Sequence, residues 1–238
     1  MEKNFKEHQE EGQNGVSRSN LRDFILGFQD GLVNTLGLVL GVATAVQESK
    51  IVLISGIVTT FAESVSMAAV AYTSTKAAHQ FYESQLEREK KEIEEIPHME
   101  VEEIRDIYRK KGFKGKQLES IVKKITSSKK LWLETMMAEE LRLFPEDYES
   151  PAKSAFVVGI SAVVGSLIPV IPFFLLSVKM GMATALISSV ITLFIVGAVK
   201  AKITIGDWKR NGIEMAIVGT LAALVGYAVG SFLGVVYS

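Results

Sequence analysis

The chain has 238 residues, 48% of them hydrophobic and 22% charged, with a formal net charge of −1 and no cysteine. The missing cysteine excludes disulfides and thiolate metal sites, and the near-neutral charge offers no electrostatic footprint for nucleic acid. The composition is segregated: apolar runs occupy 24–46, 51–75, 155–178, 181–199 and 212–237, while a charged stretch over 76–153 separates the second from the third.

Residues 1–20 (MEKNFKEHQEEGQNGVSRSN) are polar. They lack the apolar core of a signal peptide and are too acidic for a transit peptide, so they read as a disordered or loosely attached tail. The first apolar run, Phe24 to Val46, is long enough to cross a bilayer as a helix, and Asp30 is its only charge. The second run, Ile51 to Thr75, repeats the pattern with Glu63. A charge inside a span is costly, so it faces a polar cavity and marks an ion or proton path. The alternative is a structural carboxylate paired with a neighbouring helix. Two such groups on consecutive spans point first to a transporter or channel. The predicted fold class is an all-α membrane protein of five spans with a soluble helical module inserted between spans 2 and 3. Its segments are 1–20 (tail), 21–75 (spans 1 and 2), 76–153 (insert) and 154–238 (spans 3 to 5).

Lys and Arg near span ends set orientation. They precede span 1 (Arg18, Arg22), fill the insert from Lys76 to Lys153, and follow span 4 (Lys200, Lys202, Lys209, Arg210). The other connections hold little, with Lys179 alone after span 3. This alternation predicts a cytoplasmic N-terminus, insert and 4–5 loop. Span 1 then runs outward and span 2 runs back. Asp30 and Met67 fall at similar depth, roughly 10–13 Å in at about 1.5 Å per residue. Asn34 and Glu63 each lie one turn further along, on the same faces. Carboxylate plus thioether suits a transition metal better than Na⁺ or Mg²⁺, and packing is the competing role for Met67. Four-residue glycine spacings (Gly27, Gly31, Gly37 and Gly41 in span 1; Gly226, Gly230 and Gly234 in span 5) allow close helix approach, within the chain or between copies. Pro169 and Pro172 break or kink span 3, either lining a pathway or as an ordinary kink.

The insert has no breaker between span 2 and Pro97, so span 2 is expected to continue as one long helix. A second helix, MEVEEIRDIYRKK, is stopped by Gly112, and a third helical region covers about 116–143. Glu89 and Glu92 share a helix face by their spacing, as do Glu100 and Glu103 on the next helix. Like charges so placed repel unless a cation lies between them, and a solvated face is the competing reading. Met136, Met137 and Glu140 add thioethers and a further carboxylate. Other chemistries fail. Glu95-Ile-Pro-His98 is the one Glu-x-x-His string, and its proline spoils the helix that a di-iron site needs. There is no P-loop for ATP.

Taken together these motifs resemble the vacuolar iron transporter family, which includes the calcium cross-complementer-type proteins. The segments carrying the resemblance are Asp30-Gly31-Leu32-Val33-Asn34, Glu63-Ser64-Val65-Ser66-Met67-Ala68, the proline-containing third span and LFIVGAVKAKIT in the fourth. The resemblance implies a dimeric, proton-coupled exporter of Fe²⁺, often also Mn²⁺, with no tightly bound cofactor and no enzymatic activity. It implies an ion path at Asp30 and Met67, with Glu63 beside them. It also implies a cytoplasmic metal site from Glu89, Glu92, Glu100, Glu103, Met136, Met137 and Glu140. One departure stands out: Val70-Ala71-Tyr72 occupies the place where many members carry Gly-Glu-Tyr, so a carboxylate is missing. The expected setting is the plasma membrane of a prokaryote or the vacuolar membrane of a eukaryote. The expected assembly is a homodimer with span 1 central, joined through Gly27, Gly31, Gly37 and Gly41. The rivals are a membrane-anchored metal sensor or buffer, and a transporter of a small organic substrate.

Overall fold

The computed structural model describes residues 18–144, 150–204 and 206–237. Most of the polar tail, residues 1–17, lies outside them. Every element among the described residues is a helix: α1 (Arg18–Val46), α2 (Ser49–Glu95), α3 (Pro97–Lys110), α4 (Gly115–Thr126), α5 (Lys129–Glu139), α6 (Pro151–Val170), α7 (Pro172–Leu175), α8 (Val178–Ile203) and α9 (Trp208–Tyr237). Five stretches are long and apolar enough to cross a membrane, namely α1, the apolar half of α2, α6 with α7, α8 and α9. The chain forms two compact units, one of residues up to Tyr72 and from Ala152 onward, the other of Thr73–Pro151.

In the first unit, α1 is the central element. Its Phe28, Leu32, Leu36, Val39, Leu40 and Ala43 are buried, recurring at three- and four-residue spacing along one face. They meet Val52 of α2, Val170 of α6, Phe173 of α7, Leu193 of α8 and Ala223 of α9 in two apolar clusters. Small residues allow this crowding because packing, not the hydrophobic effect, joins helices in lipid. A Cβ built on Gly31 would lie 2.4 Å from the carbonyl oxygen of Ala162 in α6, and one on Gly226 of α9 would lie 2.0 Å from that of Gly37. Backbone cannot yield as a side-chain tip can, so these positions require glycine.

These contacts overturn the expected use of the span 1 glycines. Gly27 and Gly31 are filled by Val158 and Ala162 of α6, and Gly37 and Gly41 by Ala222 and Gly226 of α9. All four face helices of the same chain and are not available to a second copy. Spacing alone gives closeness without the partner's identity.

Span 3 is interrupted only slightly. Ile171 keeps helical φ and ψ between α6 and α7, and its N–H still bonds the Leu167 carbonyl at 3.0 Å. Pro172 and Phe173 are buried. The adjoining cavity of about 360 Å³ is lined by Ile168, Ile171, Pro172, Leu175, Leu176, Thr184 and Ser188, with no ionisable group.

In the second unit, α2 runs unbroken to Glu95, and Pro97 opens α3 at a position where a missing N–H is tolerated. Gly112, at φ +99°, follows the end of α3 in a backbone region that favours glycine. The third helical region is two helices, a correction to the single segment expected. Ser128 turns out of the helix, and its side chain accepts the N–H of Leu131 to cap α5. Ile93, Ile104, Leu118, Val122, Ile125, Trp132 and Met136 form one core to which all four helical pieces contribute. Arg105 ties α3 to α4 by donating Nε and Nη2 to the two oxygens of Glu119 at 3.0 and 3.1 Å.

Candidate functional site

Asp30 and Asn34 lie one turn apart on α1, so they share a face. That stripe continues through Gly37 and Gly41, where α9 covers it. Toward its N-terminal end the stripe is less covered by the described residues: Asp30 is half-buried and Asn34 is exposed. Asn34 Nδ2 donates to Oε1 of Glu63 on α2, and the Asp30 carboxyl lies within hydrogen-bonding reach of Glu63. Oε2 of Glu63 is buried and receives no conventional donor. Two carboxyl groups facing each other are both acceptors when ionised. A proton or a cation must lie between them for the contact to be favourable. The structure thus brings together Asp30, Asn34 and Glu63 inside the apolar run. Pairing Asn34 with Glu63 in antiparallel helices sets Asp30 level with Met67, which is half-buried. Ala71, at the position where a glutamate was noted as missing, is 7% exposed, and its methyl brings no charge to this face.

Asp23 went unremarked in the sequence because it precedes the apolar run. It is 1% exposed, and its carboxylate accepts bonds from Ser154 of α6 and, at 3.1 Å, from Arg22 Nη2. Its spacing of seven from Asp30 could have flagged it. Ser154, 131 residues away, could not have been found. Asp23 is a satisfied structural carboxylate that ties α1 to α6.

The insert holds a second acidic group. Glu89 of α2 and Glu100 of α3 are each 3% exposed, lie within hydrogen-bonding reach of each other, and each keep one buried oxygen without a conventional donor. Burial, then the bond and charge of Glu100, pushes the Glu89 carboxyl up to about 8. Burial also raises Glu100. Glu140 is pushed up to about 7 by burial and by the charge and hydrogen bond of Glu103, although part of its side chain reaches solvent. Glu92 is half-buried, and its carboxylate accepts from Arg88 Nε at 3.0 Å. The carboxyls therefore meet in two pairs, Glu89 with Glu100 and Glu103 with Glu140. Among the described residues, no three or more acidic or histidine side chains converge into a ready metal cage. Met136 and Met137 are 0% and 2% exposed, and Met136 belongs to the apolar core.

The raised carboxyls carry a stability signature. A carboxyl raised in the folded state contributes stability that is fully present below its unfolded value, near 4.5, and is lost as pH climbs through the folded value. The metal-free insert should therefore lose several degrees of melting temperature between pH 6 and pH 9, as Glu89 and Glu140 ionise beside their partners. Circular dichroism melts across this range check it, and a flat profile contradicts the buried pairs.

Five membrane-length helices, with ionisable groups facing one another inside an apolar stretch, define an integral membrane protein with a polar intramembrane site. The chain belongs to the VIT family, whose family model matches residues 21–231. It is similar to the protein named vacuolar iron transporter 1 of Tulipa gesneriana, 29% identical with 94% of this chain and 90% of that one covered. It is similar to vacuolar iron transporter 2 of Oryza sativa subsp. japonica, 31% identical over 87% of this chain and 85% of that one. The vacuolar iron transporter of Plasmodium falciparum is 30% identical over 92% and 84%.

Proposed function

We propose that this protein moves divalent iron or manganese out of the cytosol in exchange for protons, working as a homodimer. The observation that carries the reading is the Asp30–Asn34–Glu63 cluster, with its buried, donor-free Glu63 oxygen. The names of its relatives supply the class of cargo. A carboxyl pair that needs either a proton or a cation is a direct means of exchange. Protonation neutralises the site and lets the metal leave, and metal entry displaces the proton. Met67 lies at the same level and would offer a soft ligand. The insert, on the cytoplasmic side, would collect metal at Glu89, Glu92, Glu100, Glu103 and Glu140. Met137 lies next in line, and Met136 could join only by leaving the apolar core. Uptake of ⁵⁴Mn²⁺ or ⁵⁵Fe²⁺ into proteoliposomes tests the function. Metal that binds but never enters the lumen would make the chain an anchored buffer.

Dimerisation follows from the same cluster. An exposed Asn34 beside two half-buried carboxyls cannot face hydrocarbon without cost. A second copy set against this face by a two-fold axis would cover it and place two such clusters in one cavity. The interface is then the Leu26–Asp30–Asn34 stripe of α1 with the facing side of α2, not the glycine stripe. Leu26→Cys and Ser66→Cys, made singly in this cysteine-free chain, should cross-link between subunits under oxidation. Ile191→Cys, 53% exposed on α8 before substitution, should not. A monomer in native mass spectrometry with no cross-link at either site would reject the interface.

A further inference from the structure

We propose that the adjoining ends of α8 and α9 form a binding site for the headgroups of anionic phospholipids, held by Lys200, Lys202, Lys209 and Arg210 with Trp208 as its interfacial anchor.

Three observations carry it. The first is convergence. A Cβ on Gly197 would lie 2.5 Å from the Asn211 carbonyl oxygen, and one on Gly206 would lie 3.7 Å from the Ala201 Cβ. The C-terminal part of α8 therefore packs against the first turn of α9, and cations separated in sequence share one end of the helix pair. The second is the lack of internal neutralisation. In the insert, Arg88, Lys90, Lys91, Arg105, Arg109, Lys111, Lys129 and Lys130 each hold a carboxylate. None of the four cations here has an ion pair among the described residues. Asp207 is committed elsewhere, since its Oδ1 accepts the backbone N–H groups of Lys209 and Arg210 at 2.8 and 3.2 Å to cap α9. Glu214, one turn beyond Arg210, makes no ion pair with it.

The third observation is the aromatic anchor. Trp208 is 44% exposed, packs edge-on against Phe194 at 6.2 Å between ring centroids, and lies under Lys209 Nζ at 5.5 Å. An amphipathic ring at the end of two membrane-length helices sits at headgroup level. Unpaired cations at that level attract anionic lipid. Phosphate is the shared chemistry of a lipid headgroup and a free anion. The bilayer supplies the first at this depth, beside a ring that favours the interface.

The test uses the full chain reconstituted in phosphatidylcholine vesicles that carry, at equal mole fraction, either brominated phosphatidylglycerol or brominated phosphatidylcholine. Tryptophan fluorescence is the readout. Only Trp132, buried in the insert core, and Trp208 contribute. The site predicts severalfold stronger quenching by the brominated anionic lipid, and high salt removes the difference. The variant K200Q/K202Q/K209Q/R210Q loses the preference, and K50Q/K179Q keeps it. Equal quenching by the two lipids in the wild type, or a preference that survives in the fourfold variant, overturns the site. Should the fourfold variant insert wrongly, the salt dependence of the wild type still decides. Inorganic phosphate at matched ionic strength should act no more strongly than chloride. Selective displacement by phosphate would assign the cations to a soluble anion and overturn the lipid site.

Discussion

Asp30→Asn is expected to abolish metal uptake while the protein stays folded. The amide matches the carboxylate in size, so the packing of α1 is preserved, and the first unit is held by contacts on other faces of that helix. What disappears is the charge that balances a partly dehydrated divalent ion. Leaving a buried charge uncompensated costs on the order of 3–5 kcal/mol, which corresponds to at least about a 100-fold loss in rate. The substitution also ends the opposition of two acceptors at Glu63, since an amide can donate to the otherwise donor-free Oε2. The folded variant should therefore be no less stable than the wild type, and inactive. Initial uptake rates in proteoliposomes, with circular dichroism melts as the control, decide it. A variant that retains more than half the wild-type rate would remove Asp30 from the ion path.

The second large effect concerns the insert. Replacing Glu89, Glu92, Glu100 and Glu103 together with Gln should cost the full-length protein its divalent-metal binding at the insert, by more than about tenfold in affinity, which is about 1.4 kcal/mol. The helices should persist, because their shared core of Ile93, Ile104, Leu118, Val122, Ile125, Trp132 and Met136 is untouched. Arg105 would still hold Glu119. The variant should also lose the share of the pH dependence between 6 and 9 that Glu89 and Glu100 confer, keeping only the part due to the burial of Glu140. Titration calorimetry showing unchanged metal affinity would reduce the acidic faces to solvated surface.

Much of this architecture can be read in the sequence. The five apolar runs emerge as five helices of membrane length because apolar length is a local property. The end of α2 at Glu95 and of α3 before Gly112 follow from proline and glycine chemistry within a few residues. The apposition of Asn34 with Glu63 follows from counting turns on two antiparallel helices joined by a short loop. What stays hidden depends on distant partners. Nothing near Gly37 indicates that α9, nearly two hundred residues later, fills its groove. Nothing near Asp23 indicates Ser154. The break at Ser127 and Ser128 rests on a side-chain cap worth about 1 kcal/mol, too small to stand out in a helical stretch. Met136 illustrates a different limit. Its motif suggests a thioether ligand, while its position completes an apolar core, and one residue's chemistry permits both. The carboxyl pairing in the insert, Glu89 with Glu100 and Glu103 with Glu140, also required the structure, because spacing along one helix says nothing of the neighbour opposite.

In the proposed exchange, metal and protons cross in opposite directions through the Asp30–Glu63 cluster. Its most direct test loads proteoliposomes with a pH-sensitive dye, adds Fe²⁺ or Mn²⁺ outside under a lumen-acid gradient, and follows metal entry and lumenal pH together. Metal is expected to enter, the lumen to become more alkaline in proportion, and both to slow when the gradient is collapsed. Metal entry with no change in lumenal pH, at a rate indifferent to the gradient, would contradict it.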